Sequence, residues 1–205
     1  MKKWIVIGII LIVIAIVYQF FKSSFNNMVT YNESVKKEWA NVEAAYQRRL
    51  DLIPNLVSTV KGAADFEKST LTAVIEARAG AAQAAKEVHD QVDREGAKGL
   101  SPENIQKFQA AQNQLATSVG RMINIVVEQY PQLRATENFR ELQSQLEGTE
   151  NRITVARRDF NDKVIVYNTY IKRFPQNLLA GMYGFQESVY FEADKGAEKA
   201  PAVKF

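Results

Sequence analysis

The sequence has no cysteine and only one histidine, His89. The first absence removes disulfides, thiol nucleophiles, thiolate metal sites and lipoprotein processing, and leaves the redox compartment open. His89 lies in a polar stretch ahead of Gly96, where a solvated imidazole is expected. Also missing are an H-E-x-x-H pair, a G-x-S-x-G elbow, a phosphate-cradling glycine loop and a carboxylate-rich calcium loop. Glu76, Glu128, Glu147 and Glu150 are scattered and do not form the Glu-x-x-His spacing of carboxylate-bridged metal bundles. The expectation is a protein with no cofactor, metal site or small-molecule substrate, and not an enzyme. Charge of one sign is scarce too. The 26 Lys and Arg against 23 Asp and Glu leave a net charge of only +3. Bases alternate with acids nearly everywhere, so nucleic acid is not an expected partner.

What the chain does have is an apolar run over residues 4–21, interrupted only by Gln19. Its length falls within the roughly 17–25 residues that cross a hydrocarbon core as a helix. A cleavable signal has a shorter core ending in small residues, whereas Phe20, Phe21 and Lys22 follow here. The run reads as a retained anchor, with the bilayer as partner through residues 4–21. Lys2 and Lys3 on one side are nearly balanced by Lys22, Lys36 and Lys37 on the other, so the positive-inside rule assigns no orientation. The remainder suits one domain large enough to bury a core.

Beyond the anchor, helical periodicity recurs in four blocks. The first carries Val35, Trp39, Val42, Tyr46 and Leu50, joined to the anchor by the polar residues Ser23 to Asn27. It is expected to end near Asp51 to Pro54, because proline removes a backbone donor and disfavours helix at Ile53. Pro54 suits the first turn of a second helix carrying Leu56, Val57, Val60, Ala64, Leu71, Val74, Ile75 and Arg78. That block runs into the alanine-rich stretch of residues 79–85, a helical segment by propensity. Ser101 and Pro102 form a cap and first-position signal for the third block, Ile105, Phe108, Gln112, Leu115, Val119, Met122 and Val126, which has coiled-coil spacing. The fourth and longest block, Phe139 to Phe174, stops before Pro175. Gln112 and Thr149 interrupt these seams and read as boundary positions, with register-setting polar residues as the alternative.

The predicted fold is all-α: an N-terminal transmembrane helix followed by an antiparallel up-and-down four-helix bundle and an extended aromatic C-terminal tail. The division is anchor 1–22, juxtamembrane joint 23–30, bundle 31–176 and tail 177–205.

The stretch Arg48-Arg49-Leu50-Asp51-Leu52-Ile53-Pro54-Asn55-Leu56-Val57, with Tyr31-Asn32 and Trp39 before it and Val60-Lys61-Gly62 after it, resembles the first signature of the LemA family. Glu150-Asn151-Arg152-Ile153, Arg157-Arg158, Asn161 and Tyr167-Asn168 resemble its second. Phe174-Pro175, Gly184-Phe185, Tyr190-Phe191 and Val203-Lys204-Phe205 resemble its C-terminal pattern. The resemblance covers essentially the whole chain. It implies a single-pass membrane protein with a helical-bundle domain, no established enzymatic activity, and a short amino end outside with the bundle inside. It also suggests envelope organisation, and its magnetosome-associated members suggest membrane shaping. At Ala64-Asp65-Phe66-Glu67 the chain departs from the aromatic residue and His-Glu pair common in relatives, so any role of that histidine does not transfer.

The polar signature residues Arg48, Arg49, Asp51, Asn55, Glu150, Arg157 and Asn161 are expected to form a hydrogen-bonded network tying helix ends to the fourth helix. A partner-docking or anion-binding patch is the alternative. The rings of Tyr183, Phe185, Tyr190 and Phe191 must be covered, either by the bundle on which the tail folds back or by a membrane or partner. Residues 194–202 read as loosely ordered. Three functional readings follow. One is an envelope scaffold or adaptor, which anchoring in two dimensions would help to self-associate. The second is a signalling stalk, and the third an enzyme using Asp51, Glu150 and Arg157.

Overall fold

A computed structural model describes residues 2–62 and 66–191. The described residues are all-α, with an N-terminal apolar helix leading into a bundle of four main helices. The first, α1 (Lys2–Lys61), is a single 60-residue helix, about 90 Å at 1.5 Å per residue. It runs through the polar joint unbroken. It also runs through Pro54, where a stop was expected, so Leu56, Val57 and Val60 belong to the first helix and not the second.

Two features override the proline. The apolar stripe continues through it, with Leu50, Ile53, Leu56 and Val60 all buried at helical spacing. The carbonyl of Leu50, which would accept from residue 54 in a regular helix, instead accepts from Arg78 Nε at 2.9 Å. An interior proline costs about 3 kcal/mol, in part through this lost donor, and Arg78 restores a partner to the orphaned oxygen.

The next elements are α2 (Lys68–Glu95), a 3-10 turn (Gly96–Gly99), α3 (Pro102–Gln129), the short α4 (Pro131–Arg134) and α5 (Glu137–Lys172). Ser101 caps α3 by accepting from the Asn104 N–H, with Pro102 at the first position as expected. Thr136 does the same for α5 through the Phe139 N–H. The carboxylate of Glu67, ahead of α2, accepts from the hydroxyls of Ser69 and Thr70. Gly99 is required sterically, since a Cβ there would stand 2.6 Å from the backbone of Gln91. Pairings of Glu43 with His89, Arg49 with Gln112, and Asn27 with Tyr170 set the helices up-down-up-down. The chain then turns at Phe174-Pro175 into α6 (Gln176–Tyr183) and leaves as an extended segment to Phe191.

Several details differ from expectation. The longest helix is α1, even when its span is discounted. Phe174 lies beyond α5 and is 79 % exposed, and Ile75 faces solvent on α2. Gln112 and Thr149, read as boundary positions, are fully buried seam residues. Ala64 and residues 192–205, including the terminal Val203-Lys204-Phe205 motif, lie outside the described residues.

The core divides in two. A membrane-proximal cluster gathers Met28, Trp39, Tyr46, Phe108, Phe160 and Tyr167 with their aliphatic neighbours. A distal cluster gathers Leu50, Ile53, Leu56, Leu115, Met122 and Leu146, with Phe139 as its buried ring. Each helix crosses from one cluster to the other at the same height, and three buried polar residues, Arg49, Gln112 and Thr149, stand there.

Candidate functional site

Arg49 sits on the buried face of α1 and is only 4 % exposed. Its guanidinium forks onto Glu150 of α5, with Nε donating to Oε1 at 2.7 Å and Nη2 donating to Oε2. Nη1 donates to the backbone carbonyl of Gln112 on α3 at 3.3 Å. The guanidinium carbon lies 5.2 Å from the centre of the Tyr46 ring. One cation thereby ties three helices together in the layer between the two cores. The bidentate geometry is the strong form of a charge-assisted pair, which lysine cannot reproduce. Thr149 settles its hydroxyl on the carbonyl of Gln145 at 2.7 Å. The side-chain amide of Gln112 finds no hydrogen-bond partner among the described residues.

A second constellation joins α5 to the extended tail. Asn168 Nδ2 donates to the Ser188 carbonyl at 2.8 Å, and the Ser188 N–H donates back to Oδ1 at 2.9 Å. Asn161 treats Phe191 identically, at 3.1 and 2.9 Å. Each asparagine thus mimics a neighbouring strand for one residue of the tail. The spacing explains why the device works twice: seven helical residues rise about 10.5 Å, and three extended residues span about 10 Å. Between the two, the Tyr190 hydroxyl accepts from Asn168 Nδ2, and the Tyr167 hydroxyl donates to the Gln186 carbonyl at 2.9 Å. Burial pushes the Tyr167 phenol up to about 12, so it remains a donor at any physiological pH.

The clasp delivers Phe191 into the proximal core. Its ring stacks on Trp39 at 5.9 Å with an interplanar angle of 10° and meets Phe160 edge-on at 5.5 Å. Arg157 covers the same ring, its guanidinium carbon 5.1 Å from the centre. The nominated polar residues are therefore distributed over three places. Arg49 and Glu150 are paired in the central layer, while Asn161 and Arg157 hold the tail. Arg48, Asp51 and Asn55 are on the surface, where Asp51 accepts from Gln47 at 2.7 Å. Of the nominated rings, Phe191 is buried and Phe185 half-buried, while Tyr183 and Tyr190 are 46 % and 40 % exposed. Sequence reasoning had nominated neither Asn168 nor Arg78 for this set. An asparagine beside Tyr167 on an otherwise apolar stripe was the available signal for the first; nothing local distinguishes Arg78.

A partly enclosed cavity of about 260 Å³ lies at the proximal end, lined among others by Asn32, Lys36, Glu95, Tyr167, Phe185 and Glu187. Lys36 is engaged by Glu33 at 2.6 Å, and Glu187 by Lys172 at 2.6 Å. Elsewhere, His89 is 58 % exposed and faces Glu43 at 3.3 Å, and the hydrogen bond it donates to this carboxylate raises its pKa. Among the described residues no group of three or more His, Cys, Asp and Glu could hold a metal ion. Asp51, Glu150 and Arg157, the set an enzyme would need to bring together, are committed to separate contacts.

Comparison with known proteins gives a family and several relatives. The sequence profile of the LemA family matches residues 38–205. Two magnetosome proteins of Paramagnetospirillum magneticum, MamQ 2 and MamQ 1, are each 29 % identical over 187 residues, covering 87 % of this chain and 68 % of theirs. Magnetosome protein MamQ of Magnetospirillum gryphiswaldense is 28 % identical over the same extents. Among the described residues one helix, α1, is long and apolar enough to cross a membrane, and with the family match this is a single-pass protein of the cell membrane. Matched over both signatures and the C-terminal pattern, the chain belongs to the LemA family.

Proposed function

We propose that this protein is a membrane-anchored scaffold or adaptor of the cell envelope, whose bundle holds a protein partner or further copies of itself at a set height above the bilayer. The observation that carries the reading is the continuity of α1, which passes from the span into both cores as one helix. A tether needs only a flexible linker, whereas a helix shared by anchor and bundle fixes the orientation of everything attached to the bundle. The likeness to magnetosome proteins supports a role tied to membrane organisation. The working division is anchor 1–22, joint 23–30, bundle 31–176 and tail 177–205. The exposed polar residues Arg48, Asp51 and Asn55 are the proposed docking positions, and the Arg49–Glu150 pair the structural one.

Crosslinking full-length protein in native membranes, followed by purification and mass determination, tests the proposal against a version carrying an unrelated anchor helix. A second protein at fixed ratio identifies an adaptor, and a large complex of this chain alone identifies a self-assembling scaffold. A bare monomer in both versions overturns the proposal.

The same continuity favours a second reading, a stalk that passes a conformational change across the membrane. Glycines inserted within Ser23 to Asn27 would abolish its output, and would leave function intact if the anchor serves only to hold the bundle at the membrane.

A further inference from the structure

The bundle ends at the membrane in an unusual way. α5 descends alongside α1 until Tyr170 meets Asn27 and Tyr31, and α6 then crosses the bottom of the bundle. Tyr183, its last residue, packs edge-on against Phe25 at 4.9 Å. Tyr183 also shares a shallow, mainly apolar groove with Tyr18, Phe21, Lys22, Phe25 and Asn26. Thus α6 lies beside the stretch where α1 leaves its apolar run. Its inner face is buried through Leu179 and Ala180. Its outer face is apolar and uncovered: Leu178 and Met182, one turn apart, are 59 % and 74 % exposed, with Phe174 just ahead at 79 %.

We infer that α6 lies in the membrane interface, with Phe174, Leu178 and Met182 inserted at the boundary between headgroups and acyl chains of the bilayer that holds the anchor. Three observations point to this occupant. The first is height. Residues 4–21 rise about 27 Å, close to the roughly 30 Å of a hydrocarbon core, so Phe21 and Lys22 stand at its edge and Phe25 about 6 Å above. Interfacial helices bury their apolar face at that depth, about 5–10 Å into the boundary. The second is continuity, because the Tyr183 and Phe25 rings pack together and join this face to the anchor's own surface at Tyr18 and Phe21. The third is charge: Lys22 closes the apolar run and Arg173 follows α5 just past the Tyr170–Asn27 contact, near where lipid phosphates would be, while Lys172 is already paired with Glu187. The bundle would then rest on the bilayer at two points, the span and α6, which deepens the scaffold reading but does not depend on it.

The absence of native cysteine allows a direct test. Full-length protein carrying Leu178→Cys or Met182→Cys, labelled with an environment-sensitive fluorophore, is reconstituted into phosphatidylcholine–phosphatidylglycerol vesicles with brominated acyl chains. Ile75→Cys, at an exposed apolar position on α2, serves as the reference. These side chains are exposed, so helix content measured by circular dichroism should not change. The expected result is quenching at both α6 sites on the order of twofold or more above the reference. Water-like emission without quenching at 178 and 182 overturns the proposal. Blue-shifted emission without quenching, accompanied by disulfides between copies when unlabelled Leu178→Cys protein is oxidised in parallel, also overturns it, because a second copy would then cover the face.

Discussion

The two halves of the bundle are built from the same four helices but different materials. The distal half is mainly aliphatic and self-sufficient, with leucine, isoleucine, valine and methionine from α1, α2, α3 and α5 filling its seams around one buried ring, Phe139. The proximal half is aromatic and incomplete without the tail. Trp39 touches Phe108 and Phe160 edge-on, and its third aromatic neighbour is Phe191, from a segment with no helical structure of its own. Large rings leave angular gaps that helix ridges cannot close, and an extended segment can supply a ring where no helix passes. The lesson is a division of labour along one axis: periodic packing away from the membrane, and a locked assembly of rings and tail beside it.

Trp39→Ala should divide the halves most sharply. Truncating a buried ring of this size costs about 3–5 kcal/mol. Hydrogen exchange on the full-length protein should show lost protection around residues 35–46 and 186–191 while residues 115–126 of α3 keep theirs. Equal loss in both halves would mean that they form one cooperative unit.

The polar layer between them offers an asymmetric test. Glu150→Ala strands the guanidinium of Arg49, which is 4 % exposed, and should cost about 3 kcal/mol, as removing one partner of a buried pair does. Arg49→Met leaves behind a carboxylate whose side chain is 49 % exposed and can rehydrate, so the loss should stay near about 1 kcal/mol. Chemical denaturation of the two variants separates these values, and equal losses would contradict the inequality of burial.

Asn168→Ala removes both backbone bonds to Ser188 and should cost about 1–3 kcal/mol. The effect should be confined to the proximal half, with protease cutting within residues 186–191 long before the bundle itself.

The smallest effect expected is that of pH. The Glu43 hydrogen bond raises the folded pKa of His89 above its ordinary 6.5, so its contribution is fully present below about pH 6.5 and fades as pH rises through the folded value. Because the imidazole is largely exposed, melting temperature should fall only slightly over that interval, and His89→Gln should flatten the slope.

Much of this architecture is legible in the sequence because seams repeat. In α3 the expected set, Ile105, Phe108, Gln112, Leu115, Val119, Met122 and Val126, is the buried set. Along α5 the expected stripe is buried from Phe139 to Ile171, with Asn168 the one buried residue it did not include. Pro54 misled because its rule is local, whereas the donor that replaces its missing N–H comes from Arg78, 28 residues from the carbonyl it serves. The site is less legible for a geometric reason. Arg48, Arg49 and Asp51 cluster in sequence, but a helix turns about 100° per residue, so neighbours in a signature point to different surroundings. The asparagine clasp depends on two chain segments whose periods happen to match, and neither period reveals the other. In the central layer the Gln112 amide meets no hydrogen-bond partner among the described residues, and no seam pattern foretells that.

The unbroken run of α1 also makes it a lever. The part beyond the span, residues 22–61, is about 60 Å long. Transmembrane helices are tilted from the bilayer normal by about 20° on average. With no hinge to absorb it, a tilt of that size would swing the far end of the bundle sideways by about 20 Å. A tilt that alters no contact inside the protein would thereby move whatever is held at its tip.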